Sequence, residues 1–162
     1  AGEFSPVDPD WTFDPGSDNR GLSLHPDGSR VVVSALAEDG FEDLLLKWVG
    51  GTSTFLTTGQ ASDVRPRWTR DGQSVSFIST TDDPVRFAVF RKGATPTGEP
   101  EEVLRHGTDL FEAMYSPDGE YLVARTGFGP GSFRRDILGF RLGTDSVIRV
   151  TENEFNESAV SF

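Results

Sequence analysis

The chain has 162 residues, 35% of them hydrophobic, with 26 acidic against 15 basic side chains, no cysteine, 18 glycines and 10 prolines. That length can bury a core without disulfide or zinc staples, and the lack of cysteine excludes thiol catalysis and a CxxC metal knuckle while leaving the compartment undetermined. A net charge of -11 opposes binding to phosphate backbones and no apolar run approaches the ~20 residues that cross a bilayer, so neither nucleic-acid binding nor membrane insertion is expected.

In chain order, Trp11 to Gly16 reads as a strand ending in Asp-Pro-Gly, followed by a polar loop at Asp18, Asn19 and Arg20. Leu24-His25-Pro26-Asp27-Gly28 then places a large apolar residue two positions before a Pro-Asp-Gly turn, and Val31 to Val33 form the strand beyond it. A third run spans Leu44 to Val49, and a fourth, Phe55-Leu56-Thr57-Thr58-Gly59, ends on glycine. The same order returns twice. Trp68-Thr69-Arg70-Asp71-Gly72 leads into Val75 to Ile78, Phe87 to Phe90, and Val103-Leu104-Arg105-His106-Gly107. Tyr115-Ser116-Pro117-Asp118-Gly119 leads into Tyr121 to Ala124, Ile137 to Leu142, and Arg149-Val150-Thr151-Glu152-Asn153.

The glycines of the three turns lie 44 and then 47 positions apart. Proline presets φ for such a turn and glycine supplies the positive φ that closes it, so each Asp-Gly predicts a hairpin. Gly or Asn at each fourth-run exit predicts a left-handed turn there. Four short strands per unit, no segment of 3.6-residue period and a repeat in the forties predict an all-β fold, a β-propeller segment of four-stranded antiparallel blades, in preference to a sandwich. The expected blades span about 20–61, 62–109 and 110–154, all within one segment covering 1–162. A leading outer strand at 11–16 and a trailing inner strand at 158–162 give the chain the look of a piece of a longer array.

These motifs resemble the WD40-like repeats of TolB-type β-propellers. Tyr115 to Gly119 is the nearest copy of the family turn, His25 to Gly28 keeps its Pro-Asp-Gly, and Thr69 to Gly72 departs from it with Arg70 in place of proline. Leu56-Thr57-Thr58-Gly59 and Asp63 to Trp68 are similar to the family's passage from an outermost strand into the next innermost one. The resemblance implies a ring of six or seven blades serving as a rigid platform for protein contacts, with an extracytoplasmic setting. Related arrays imply two alternatives, a gating propeller of a larger prolyl-oligopeptidase-type hydrolase and a sensor domain attached to a bacterial kinase.

The residues themselves offer no catalytic constellation. His25 and His106 are the only histidines and both fall in the repeat framework, and neither GxSxG nor HExxH occurs. The glycine-rich stretch Gly127 to Gly131 opens no helix, so it reads as a connection between strands and not as a phosphate loop. No cofactor and no metal are expected, and the chain is expected to be no enzyme. Asp63, Asp109 and Glu112 are the carboxylates that an acid–base pair would have to use.

In a propeller the loop entering each first strand rims the central channel. Alignment of the units puts Asp18, Asn19 and Arg20, then Ser62, Asp63 and Val64, then Asp109, Leu110 and Phe111, then Asn156, Glu157 and Ser158 on that rim. Two-residue alternation gives Leu22, Leu24, Pro66, Trp68, Ala113, Tyr115, Val160 and Phe162 to the packing between blades. The opposite face receives Arg65, Arg67 and Glu112, either lining a wet channel or pairing across blades. The expected function is a non-enzymatic scaffold for a protein or peptide, with Asp18, Asn19, Arg20, Asp63, Arg65, Arg67, Asp109, Glu112, Asn156 and Glu157 as contact candidates. Exposed apolar faces on the terminal blades predict a homodimer that completes a six-blade ring.

Overall fold

Three hairpin turns of one chemistry organise the chain. In each, the glycine N–H donates to the carbonyl three residues back: Gly28 to His25 at 2.8 Å, Gly72 to Thr69 at 2.9 Å and Gly119 to Ser116 at 2.9 Å. The aspartate beside the glycine closes the turn from within. Asp27 Oδ1 accepts from Ser29 N at 2.8 Å, Asp71 Oδ1 from Gln73 N at 3.0 Å, and Asp118 Oδ1 from Glu120 N at 3.0 Å. A second donor comes from two residues upstream, the Thr69 hydroxyl at 2.7 Å and the Ser116 hydroxyl at 2.5 Å. In the first turn His25 Nδ1 takes that place, 2.6 Å from Asp27. Hydrogen bonds led by the Ser29, Thr69 and Ser116 hydroxyls hold all three carboxyls below the ordinary carboxylate range, Asp27 at about 2. Each glycine has a φ near +70°, +75° at Gly28, +68° at Gly72 and +75° at Gly119.

The computed structural model describes residues 21–81, 87–127 and 135–151. Among them every regular element is a strand. The first sheet runs β1 (Leu22–Leu24), β2 (Arg30–Leu36), β3 (Glu42–Trp48) and β4 (Ser53–Phe55). The second is β5 (Asp63–Trp68), β6 (Ser74–Ser79), β7 (Ala88–Gly93) and β8 (Glu101–Leu104). The third is β9 (Leu110–Tyr115), β10 (Tyr121–Thr126), β11 (Ile137–Arg141) and β12 (Val147–Arg149). Every neighbouring pair is antiparallel and consecutive in sequence, so each sheet is a meander and forms one propeller blade.

The blades stack face to face in chain order. β5 packs on β1, β2 and β3 of the first blade, and β9 packs on β6 and β7 of the second. Between the first two lies a core of Val32, Leu44, Leu56, Val75, Phe77, Ala88 and Phe90, with Trp68 against it. Between the second and third lies one of Val64, Ile78, Val89, Leu110, Ala113, Leu122, Ala124, Leu138 and Phe140. The middle blade is therefore apolar on both faces, as the short unbroken runs of its sequence require.

Four expectations need correction. The outermost strands end earlier than the fourth runs suggest: β4 stops at Phe55, β8 at Leu104 and β12 at Arg149. The apolar-Thr segment is already the crossing to the next blade, and its threonine serves as a substitute strand. Thr57 Oγ1 accepts from Leu44 N at 2.9 Å, and Thr151 Oγ1 accepts from Ile137 N at the same distance. Of the exit glycines, Gly59 has a positive φ of +143°, whereas Gly107 is not in the left-handed region. Strict alternation fails in β5, where Arg65 and Pro66 together oppose Phe77 in a bulge and Arg65 takes a φ of +55°. The extra residue reverses the side-chain phase, so Val64 faces the third blade and Trp68 the first. Leu22 and Leu24, assigned to inter-blade packing, are exposed because their face of the first blade points away from the second. The expected strands 11–16 and 158–162 lie outside the described residues, as do Phe128 to Gly131.

The turns differ in one testable respect. A Cβ at Gly72 would lie 2.3 Å from His25 Nε2, whereas at Gly119 it would meet nothing within 4 Å. His25 cannot swing aside freely, since Asp27 holds its ring at 2.6 Å and Trp68 packs on it edge to face at 4.6 Å. Both substitutions to alanine incur the left-handed penalty of about 1–2 kcal/mol. Gly72→Ala is expected to cost about 1–2 kcal/mol more than Gly119→Ala, read from urea unfolding midpoints; equal losses would contradict the close approach.

Candidate binding sites at the blade junctions

Polar groups connect the innermost strands across the blades through residues 45 apart. Trp68 takes two such bonds, its N to Ser23 Oγ and its Nε1 to Ser23 O, both 3.1 Å. One position earlier, Arg67 Nη1 reaches Leu22 O at 3.4 Å and Nη2 reaches Glu112 Oε1 at 3.1 Å. Arg67 thus spans from the first blade to the third. Of the two arrangements open to Arg67 and Glu112 from sequence, the structure contains the pairing across blades.

Glu112 is buried and has a second cation, Arg125, whose Nε lies 3.7 Å from Oε2. Burial, together with the charges of Arg65 and Arg135, lowers the pKa of Arg125, against the attraction of Glu112. Arg125 was not among the sequence candidates. Its signal was present, because Glu112 and Arg125 are equidistant from the Asp118–Gly119 turn and are strand partners. Asp109 is half-buried; its carbonyl accepts from Gly127 N at 2.6 Å, and the Phe111 ring lies where a Gly127 Cβ would stand. The histidines serve packing: His25 in its turn, and His106 with its ring 5.3 Å from Phe140 and Nδ1 3.0 Å from Thr108 Oγ1. Among the described residues no group of three or more His, Asp or Glu is placed to hold a metal ion. Asp18, Asn19, Arg20, Asn156 and Glu157 lie outside the described residues.

Asp63 departs most from its expected place. It is 5% exposed and does not stand on an open rim; it lines a cavity of about 600 Å3 where the chain crosses from the first blade to the second. Asp43 of β3, which is 2% exposed, lines the same cavity. The two carboxyls share Thr57, whose hydroxyl donates to Asp43 Oδ1 at 3.2 Å and is also within hydrogen-bonding reach of Asp63. One hydroxyl proton cannot serve both, and the Ser79 hydroxyl is a further donor in reach of Asp63. Asp63 Oδ1 is buried without a hydrogen-bond partner. Burial first, then the negative charge of Asp63, pushes Asp43 up to about 6, and burial likewise raises Asp63.

No protein-family model and no curated protein matches the chain. Solved structures do. A putative TolB from Agrobacterium tumefaciens superposes with a TM-score of 0.71 at 22% identity, over 85% of this chain and 48% of that one. TolB from Acinetobacter baumannii superposes at 0.69 and 18% identity, over 88% of this chain and 34% of that one. The fold is that of a TolB-like β-propeller segment. The segment spans about half the length of the first of these structures and about a third of the second. Within such a propeller, Arg67, Glu112 and Arg125 sit on or beside innermost strands, and the Asp43–Asp63 cavity opens between neighbouring blades.

The raised carboxyls set a pH dependence. A group with a folded-state pKa above its unfolded value makes the folded state bind more protons, so stability falls as pH rises between the two values. For Asp43 that window runs from 3.8 to about 6. Between pH 4 and pH 7 the wild-type chain is expected to lose on the order of 2–3 kcal/mol relative to Asp43→Asn. Parallel pH–stability curves from urea unfolding would show that the carboxyl is not strained.

Proposed function

We propose that this chain is a non-catalytic β-propeller scaffold that binds protein, and that one partner is a second copy of itself completing a six-blade ring. The observation that carries the reading is the pair of apolar faces at the ends of the stack. On the first blade Leu22, Leu24 and Phe55 are 46%, 57% and 38% exposed, in register with Val31, Val33 and Leu45 on the same face. On the third blade Ile148 and Val150 are 48% and 56% exposed, and Ile148 shares a face with Val123 and Met114.

Those positions repeat the contact already made inside the stack. Counted from the turn glycines, Leu24, Val31 and Val33 match Trp68, Val75 and Phe77, which pack into the first blade. Val123 matches Val32 by the same count, and Ile137, paired with Arg125 as Leu44 is with Ser34, matches Leu44 by strand register; Val32 and Leu44 are the residues that receive Trp68, Val75 and Phe77. The leading face of one copy therefore has the chemistry to continue onto the trailing face of another, and two arcs of three blades close when the rotation between blades is that of a six-fold ring. Burial of these side chains supplies about 25 cal/mol per Å2. Each copy carries -11, so screening by salt should favour the assembly.

The non-catalytic reading is supported by the chemistry of the two junctions. Glu112 is shared between two guanidinium groups, and no histidine lines the cavity of Asp43 and Asp63.

Light scattering on a sizing column should give a native mass near twice the 17.7 kDa of the chain, rising in population with added salt. The double variant Leu24→Asp, Ile148→Asp should return a folded monomer. A wild-type monomer at tens of micromolar chain would overturn the second-copy reading.

A further inference from the structure

We infer that the cavity between the first and second blades binds a guanidinium group, the head of an arginine side chain presented by a partner protein. The inference rests on the protein-binding reading only for the source of that arginine; the cavity's chemistry stands apart from the assembly state.

The floor of the cavity is built for a multidentate cation. Asp43 and Asp63 are both more than nine-tenths buried; the Thr57 hydroxyl has a single proton for the two carboxyls and the Ser79 hydroxyl serves Asp63, yet Asp63 Oδ1 is left with no donor. A buried acceptor without a donor is costly and is normally satisfied. A third acid, Glu99, stands on the cavity wall. Among the described residues the one cation in the wall is Lys92, which is already engaged: its Nζ donates to the carbonyls of Thr97 and Gly98. The charges acting on Asp43 are those of Asp63 and Asp39, both negative.

Size and donor geometry decide between cations. A volume of about 600 Å3 falls in the range of sites for small molecules and side chains. A calcium-type ion would need six or more converging oxygen ligands, and among the described residues no three acids stand close enough together to hold a metal ion, Glu99 included. Guanidinium has five N–H donors in a planar fork, so one group can serve both carboxyls where an ammonium is a point charge. Charge-assisted bonds of this kind are the strong ones.

The probe is N-acetyl-arginine-N-methylamide, titrated into the whole chain and followed by amide chemical shifts at constant ionic strength. Saturable shifts are expected at Asp43, Thr57 and Asp63, with an affinity at least tenfold weaker in Asp63→Asn and in Asp43→Asn. Both variants replace a carboxyl that burial disfavours as an anion, so both are expected to fold, which their shift dispersion checks. The uncharged N-acetyl-citrulline-N-methylamide should produce no saturable change. Equal binding of the citrulline probe, unaltered arginine affinity in both variants, no saturable change with arginine, or saturation by calcium chloride instead would each overturn the inference. A failed titration with a dimeric native mass would remove the cavity's role alone; a successful titration with a monomeric mass would remove the second-copy reading alone.

Discussion

A four-stranded meander has two faces, and the middle blade of this chain is apolar on both. No single blade can hide both faces, so stacking is a condition for the chain to fold at all. Trp68, Val75, Phe77 and Phe90 go to one neighbour and Val64, Ile78 and Val89 to the other. A blade interface of this kind is non-directional in its energy, and hydrophobic burial alone would let sheets slide over each other. The polar bonds at the inner strands fix the register. Ser23 to Trp68, Leu22 to Arg67 and Arg67 to Glu112 all join residues 45 apart, and each would break on a one-residue slip.

The same seams gather the chain's buried chemistry. Glu112, Arg125, Asp43 and Asp63 are all buried and all adjoin a blade junction. The two clusters differ in kind. Around Glu112 cations exceed anions, so the carboxylate is satisfied and the cost falls on Arg125, whose Nε has no hydrogen-bond partner. Around Asp43 and Asp63 the only donors identified are the Thr57 and Ser79 hydroxyls, and no cation pairs with either acid among the described residues. Asp63 Oδ1 stays without a partner, and the carboxyls take the cost as raised pKa values. The first cluster is closed upon itself. The second faces a cavity and has unused acceptor capacity, which is why the inference about an incoming cation rests there.

The turns were legible in the sequence because their chemistry is local: an aspartate accepts from the backbone two residues on, and the glycine beside it takes the positive φ. The strand order followed from the turns. The phase of β5 does not follow from alternation, although Pro66 within an inner strand is a usable sign of its bulge, since proline is confined to edges and bulges of sheets. Asp63 reads as a rim residue because a carboxylate at a strand entrance is usually wet; in the fold the crossing after Thr57, Lys92 of β7 and the loop that follows β7 wall one cavity with it, a juxtaposition no spacing announces. Asp43 and Arg125 stand at the edges of apolar runs, Asp43 directly before Leu44 and Arg125 directly after Ala124. Such residues are the ones most expected to have a buried partner, and the strand register names that partner for Arg125 as Glu112.

The central claim is that the blades form one stack held through the middle blade. Native-state hydrogen exchange tests it residue by residue. Amides of β6 and β7 should exchange slowest, by opening of the whole structure, and those of the outermost strands β4, β8 and β12 fastest. Three blades with equal and independent protection would mean that each sheet holds itself, and would contradict the account.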